Sequence, residues 1–287
     1  VHGFRLDAVK HIDSFFMKNF IRDITEKYGE DFYVFGEFWN SDEKVNNDYL
    51  ENIDYRFDLV DVKLHHNLFD ASKSGADYDL RTIFDQTLAK NHPESAVTFV
   101  DNHDTQRGQA LESTVEEWFK PAAYALILLR EAGLPCVFYG DYYGISGEFA
   151  QESFQELLDK LLDIRLNLAY GEQNDYFDDA NCIGWTRQGK DDGQPIAVVV
   201  SNDQASSKRM LVGSEWAGRE FSDYLGKSSQ IVTIDEAANK SMFVGPEWAG
   251  REFSDYLGNN AQIVTIDDQG WGEFPVEEKS VSVWSVR

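Results

Sequence analysis

Cysteine and cationic side chains are scarce in this chain, and each scarcity removes a class of answers. Two cysteines, Cys136 and Cys182, stand among 287 residues. So few thiols supply neither a disulfide framework nor the paired spacing of a zinc site, and they favour a reducing compartment. Lys and Arg number 26 against 51 Asp and Glu, a net charge of −25. Such an acidic surface repels nucleic-acid backbones and anionic membranes, so neither is expected as a partner. A neutral ligand such as a sugar is compatible with it, and the simplest account of the acid excess is a solvated face. No run of 18 apolar residues occurs, so no membrane-spanning helix is expected. The chain opens Val-His-Gly-Phe-Arg, with no Met and no signal peptide, at the start of an apolar strand. The expectation is that sequence precedes it.

What is present falls into two patterns. Up to about residue 168, apolar strand-like runs alternate with helical ones. Strands are predicted at Gly3–Asp7, Phe32–Glu37, Arg56–Asp61, Ala96–Asp101 and Leu134–Tyr139, with Cys136 as a buried strand residue. Helices are predicted at Asp13–Gly29 (capped by Asp13 and ended by Gly29), Tyr78–Lys90, Pro121–Ala132 and Ser153–Leu168. Five strands separated by helices imply a parallel sheet covered by helices. A TIM-type (β/α)8 barrel needs three more β/α units. After Tyr170 short β-like runs follow (CIGWTR, IAVVVSN, QIVTID, SVSVWSV), which read as an antiparallel sandwich. The fold class is therefore α/β, the C-terminal part of a (β/α)8 barrel over 1–168, followed by an all-β domain over 169–287. Within the latter, Met210–Asp235 repeats as Met242–Asp267 at an offset of 32 residues, 21 of 26 positions being identical. The duplicated units are 210–241 and 242–273. Two copies do not make a solenoid.

Three segments carry chemistry. In Gly3-Phe4-Arg5-Leu6-Asp7, residues two apart share a strand face, so Arg5 and Asp7 point the same way. An arginine beside a carboxylate favours its ionised form, as a carboxylate nucleophile requires; taken alone, the pair also reads as a structural ion pair. In Phe35-Gly36-Glu37-Phe38-Trp39, a Glu ends an apolar strand among aromatics. Partial desolvation there would keep it protonated, as a general acid requires, and Trp39 either stacks on a sugar or packs. In Phe99-Val100-Asp101-Asn102-His103-Asp104-Thr105, polar residues crowd the end of an apolar strand. The bland reading is an Asx turn, the sharper one a ligand-facing cluster. All three segments sit at strand C-terminal ends, where α/β sheets place catalytic groups. Two carboxyl groups about 5–5.5 Å apart give retaining glycoside hydrolysis.

The blocks GFRLDAVKHI, GEFW and FVDNHDT, in that order, resemble the α-amylase family of glycoside hydrolases, most closely the liquefying, cytoplasmic bacterial kind. The resemblance continues through KPAAYALILLREAGLPCVFYGDYYGI and YGEQNDYFDDANCIGWTR to the C-terminus. It implies hydrolysis of internal α-1,4 bonds in starch, glycogen or maltodextrin, and a cytoplasmic location. Asp7 is then the nucleophile, Glu37 the general acid/base and Asp104 the transition-state stabiliser. Arg5, Lys10, His11, Trp39 and His103 would bind substrate. The resemblance also implies a structural Ca2+ that accepts the backbone carbonyl of His11. The family's remaining calcium ligands, its first barrel strands and its inserted loop domain have no counterpart here, and a His-Asp pair that feeds a second calcium in some relatives is replaced by Asn174-Asp175. Alternatives are a maltooligosaccharide-forming amylase or transglycosylase, and a non-catalytic fragment that pairs with the missing N-terminal segment or with itself.

Overall fold

The computed structural model describes residues 1–190, 193–225, 263–267 and 269–286. These form two compact units. One comprises 1–73, 82–116 and 132–155, the other 74–81, 117–131 and 156–287.

The first unit is built on five parallel strands in the order β1-β2-β3-β4-β5: β1 (Gly3–Leu6), β2 (Tyr33–Gly36), β3 (Asp58–Val60), β4 (Ala96–Phe99) and β5 (Leu134–Cys136). The register sets Arg5 beside Phe35 and Leu6 beside Gly36. All five predicted strands are present, each shortened at its C-terminal end, so Asp7, Glu37 and Asp101 fall just beyond β1, β2 and β4. Helix α1 (Ser14–Tyr28) begins where Asp13 accepts the Phe16 N–H at 2.9 Å and stops at Gly29, whose φ of +100° suits glycine. Val60, Val62, Val97 and Phe99 form a buried cluster against which Phe35 and Trp39 pack.

Two sequence expectations fail. Tyr78–Lys90 is not one helix. Asp79 turns its side chain onto the Arg81 N–H, Gln86 adopts φ +61°, and Thr87 caps a separate short helix, α4 (Leu88–Asn91), through the Lys90 N–H. Side-chain to backbone bonds of this kind compete with helix continuation. Cys136 is exposed rather than buried, because β5 is an edge strand paired only with β4. The structure adds two helices the apolar pattern does not announce, α2 (Glu43–Asn52) and α3 (Val62–Ser74). The inner face of α3 carries polar residues, His65, Asn67 and Ser72, that are buried and hydrogen-bonded.

In the second unit, helix α5 (Lys120–Leu128) is buried along its whole length, whereas helix α7 (Gln155–Asn167) buries Leu158, Leu161 and Ile164. A six-stranded antiparallel sheet runs β11-β10-β13-β8-β7-β6, and β12 pairs with β9 in a second layer. The strands are β6 (Gln173–Tyr176), β7 (Cys182–Arg187), β8 (Ile196–Ser201), β9 (Ser206–Leu211), β10 (Glu220–Asp223), β11 (Ile263–Thr265), β12 (Trp271–Val276) and β13 (Val281–Val286). Between the layers lie Met210, Phe221, Phe274 and Trp284, with Phe221 and Phe274 edge to face at 5.6 Å. A short helix, α6 (Tyr139–Tyr143), belongs to the first unit.

The repeat acquires a structural meaning here. Strand β10 comes from the first copy and β11 from the second, and they pair Ser222 to Ile263. The first-copy run QIVTID at 230–235 and the second copy as far as 262 lie outside the described residues. Deleting 226–257, one repeat length, joins Leu225 to Gly258 and leaves every strand just named in place. The shortened protein keeps every described strand and should be at least as stable as the parent. Urea unfolding followed by tryptophan fluorescence checks this; a lower midpoint would show that the extra copy contributes contacts of its own.

Candidate active site

The site grows from the turn after β1. Ala8 stands in the left-handed region, at φ 48° and ψ 38°, a conformation that costs a non-glycine residue of order 1 kcal/mol or more. This turn aims the Ala8 N–H at Glu37 Oε2, 3.1 Å away, while the Val9 N–H donates to the Glu37 carbonyl. The strained residue thus positions a side chain of the next strand. Gly36 permits the approach: a Cβ there would lie 2.7 Å from the Phe57 ring and 3.0 Å from Val9.

Arg5 lies at the centre. Its Nη1 pairs with Asp7 Oδ1, and its Nη2 with Glu37 Oε2 at 3.0 Å. Hydrogen bonding and charge from Arg5 hold the Asp7 carboxyl below the usual aspartate range. Desolvation opposes this, and the neighbouring Glu37 and His103 add smaller effects in the lowering direction. Asp7 is exposed, whereas Glu37 is buried.

His103 and Asp104 lie on the turn after β4, with His103 Nε2 3.3 Å from Asp104 Oδ2. The Asx turn and the ligand-facing cluster of the sequence reading are one object. Asn102 Oδ1 accepts the N–H groups of Asp104 and Thr105 at 2.9 and 3.0 Å, and this turn presents His103 and Asp104 outward while Asp101 stays buried. Of the remaining expected substrate residues, Lys10 donates to the Trp39 carbonyl at 3.1 Å. Trp39 is half-buried and packs against His65, His66 and Phe99 at ring separations of 6.1 to 6.3 Å. The side chain of His11 makes no hydrogen bond or ion pair among the described residues.

Sequence reasoning missed His65. It is buried on α3, stacked on Phe99 at 5.0 Å, with Nδ1 2.6 Å from the Val100 carbonyl and Nε2 2.8 Å from Ser113 Oγ. It therefore pins both ends of the loop that carries His103 and Asp104. Nδ1 must donate to the carbonyl, so Nε2 of the neutral ring accepts from the serine. The available signal was a histidine pair in an otherwise apolar run.

The calcium expectation concerns the complete enzyme, and the described residues alone do not supply its ligands. A hard divalent ion takes six to eight oxygens. Among the described residues no group of three or more His, Cys, Asp or Glu is arranged to hold a metal. At the Asn174-Asp175 position, Arg130 already occupies the Asp175 carboxylate with two hydrogen bonds of 2.8 and 2.7 Å.

With this geometry in view, comparison with known proteins is decisive. The alpha-amylase catalytic domain family matches residues 1–202, and the alpha-amylase C-terminal family matches 196–238 and again 231–285. The chain belongs to the alpha-amylase family. It is 43% identical to the glucan 1,4-alpha-maltohexaosidase of Bacillus sp. (strain 707), over 98% of this chain and 48% of that protein. It is 41% identical to an alpha-amylase of Geobacillus stearothermophilus, over 100% of this chain and 47% of that protein. With the cytoplasmic alpha-amylase of Escherichia coli (strain K12) it shares 40% identity over 80% of this chain and 48% of the other. The chain spans about half the length of these relatives. A Geobacillus thermoleovorans alpha-amylase solved with acarbose superposes at TM-score 0.65 and 19% identity, covering 100% of this chain and 60% of that one. The cyclomaltodextrin glucanotransferase CldA gives 0.68 at 20% identity, covering 100% and 57%. These two likenesses show the fold, a partial (β/α)8 barrel followed by antiparallel sheets.

Two measurements test the electrostatics. Carbon-13 NMR titration should show Asp7 ionising below an ordinary aspartate, and Arg5→Gln should move it upward; an unchanged titration would contradict the role given to Arg5. The second concerns Asp61, fully buried, whose carboxylate accepts the N–H groups of Leu64 and Ala89. Burial pushes Asp61 up to about 6 and pushes His65 down to about 4. An unfolded histidine protonates near 6.5, so His65 removes stability as pH falls from about 6.5 toward 4. An unfolded aspartate protonates near 3.9, so Asp61 restores stability as pH falls from about 6 toward 4. Asp61→Asn should therefore steepen the acid loss of stability in urea titrations; a slope equal to that of the parent would refute the opposition.

Proposed function

We propose that the chain carries the catalytic carboxylates of an α-amylase that hydrolyses internal α-1,4-glucosidic bonds with retention of configuration. Residues 1–168 would be its share of the catalytic barrel and 169–287 its C-terminal sandwich. The observation that carries this reading is the single guanidinium of Arg5 on both Asp7 and Glu37. Inverting enzymes keep their carboxyl groups about 6.5–9.5 Å apart to admit a water, whereas retaining enzymes hold them closer. Two carboxyl groups on one guanidinium belong with the retaining arrangement.

In the first step a carboxylate oxygen of Asp7 bonds to the anomeric carbon as the glycosidic C–O bond breaks, and Glu37 gives its proton to the departing oxygen. In the second, Glu37 takes a proton from water, the water oxygen bonds to the anomeric carbon, and Asp7 leaves as carboxylate. Asp104, presented by the Asn102 turn and paired with His103, would stabilise positive charge on the ring. Arg5, Lys10, His11, Trp39 and His103 would contact the sugar. The relatives include a maltohexaosidase and cyclomaltodextrin glucanotransferases, so a product profile on soluble starch is what separates an endo-acting amylase from an oligosaccharide-forming or transferring one. Scarce cysteine and the similarity to the E. coli cytoplasmic protein support a cytoplasmic location.

A second reading concerns the chain by itself. Among the described residues, strands β1 and β5 each pair on one side only, and Phe15, Phe16 and Leu134 are exposed nearby in the sequence. Such edges pair with further strands or with other copies. The purified chain is therefore expected to hydrolyse starch poorly and to self-associate; robust turnover by a monomer would sink this second reading. Joined to the part of a relative that it does not match, it should turn over starch, and Asp7→Asn or Glu37→Gln should lower kcat by at least about a thousandfold. Near-parental rates in either variant would overturn the assignment.

A further inference from the structure

The second unit holds a cavity of about 480 Å3 that the proposed catalytic chemistry does not use. Its lining includes Arg130, Glu131, Arg165, Tyr170 and Arg187, with Leu162, Leu166 and Ala169 as an apolar wall. Three guanidinium groups in one cavity are unexpected in a chain of net charge −25, and they are not equivalent. Arg130 is matched: it grips Asp175 with two hydrogen bonds and lies over the Phe177 and Trp185 rings.

Arg165 and Arg187 are not matched. Arg165 gives one N–H to the Leu128 carbonyl at the end of α5, and Arg187 gives its Nε–H to the Gly171 carbonyl at 3.0 Å. These are their only hydrogen bonds to described protein atoms, and neither forms an ion pair with a described carboxylate. A guanidinium carries five N–H donors, so most of those on each residue are unclaimed by protein. Burial holds both arginines below their ordinary value. At Arg187, the charge of Glu131 opposes that effect, and the charges of Arg165 and Arg130 act against Glu131, so the net direction stays downward. Arg187 is 6% exposed. A buried cation without a counter-ion is costly unless an anion joins it. Tyr170 also carries the Lys190 ammonium 5.7 Å from its ring centroid, a further positive charge beside the cavity wall.

We propose that this cavity binds a phosphate monoester, with the phosphate on Arg165 and Arg187 and a small organic body against Leu162, Leu166 and Tyr170. A dianionic head answers two unpaired guanidinium groups, which suit its geometry. The volume falls in the range of small-molecule sites and exceeds what a bare phosphate fills.

Phenyl phosphate and inorganic phosphate are the probes, titrated into the whole chain by calorimetry and by thermal melting, at ionic strength matched with chloride. Phenyl phosphate should bind saturably and raise the melting temperature, and more tightly than inorganic phosphate. Arg165→Gln should weaken it by about tenfold to a hundredfold, the size expected for hydrogen bonds to a charged group. Arg165→Lys should recover part of the loss, since it keeps the charge without the fork. Arg187→Gln should abolish binding; because Arg187 is buried, that variant counts only if its circular dichroism matches the parent, and Arg165→Gln decides otherwise. Absence of saturable phenyl phosphate binding, or binding unchanged by Arg165→Gln, would overturn the site. Equal affinity for inorganic phosphate would overturn the part of the proposal that seats an organic body.

Discussion

The first unit is organised around one cation. Arg5 stands on β1 where the strand register sets it beside Phe35, two residues before Glu37, and its guanidinium reaches the carboxylates of both Asp7 and Glu37. Two carboxyl groups this close repel one another if both ionise. The arginine removes much of that penalty, and it does so unevenly: Asp7 is exposed and held below its usual range, whereas Glu37 is buried. Two carboxyl groups with different environments are what a nucleophile and an acid need. Other local features serve this cation. Gly36 leaves room for Val9 and Phe57, and the left-handed Ala8 turns its N–H onto Glu37.

The third carboxylate depends on a different device. Asp104 sits on a polar turn that its own side chains fold, and the loop around it is anchored from α3 by His65. A neutral, buried imidazole suits that task because one nitrogen donates and the other accepts. His65 carries a pH cost that the buried Asp61, on the same segment, counteracts. In the second unit, sheet continuity is drawn from two sequence copies: β10 belongs to the first and β11 to the second, and the C-terminal family matches the chain twice across that interval. Among the described residues, each copy thus contributes one strand to this pair.

Much of this was legible in the sequence. Strand spacing gave the parallel order, and the alternation of Arg5 and Asp7 on one face is realised as an ion pair. Asp13 and Gly29 delimit α1 because their chemistry is local. What escaped was decided at a distance. Helix α3 hides because its inner face is polar, its histidine and asparagine being satisfied by partners 16 to 48 residues away. The segment after Asp79 has helix-forming residues but is diverted by side-chain hydrogen bonds and by Gln86. Cys136 lies in an apolar run that reads as buried, yet edge position depends on which strands are neighbours. The three arginines of the cavity come from α7, β7 and the end of α5, and no local pattern joins them.

The central claim is that Asp7 forms a bond to the sugar while Arg5 keeps it ionised. Covalent trapping tests it most directly. The chain, joined to the part of the Geobacillus stearothermophilus relative that it does not match, would be treated with a fluorinated α-glucosyl fluoride that forms the glycosyl-enzyme quickly and releases it slowly, then digested and mapped by mass spectrometry. The account requires one added sugar on the peptide containing Asp7, lost in Asp7→Asn and slowed in Arg5→Gln. A sugar on any other residue, or none on an enzyme that still turns over starch, would contradict it.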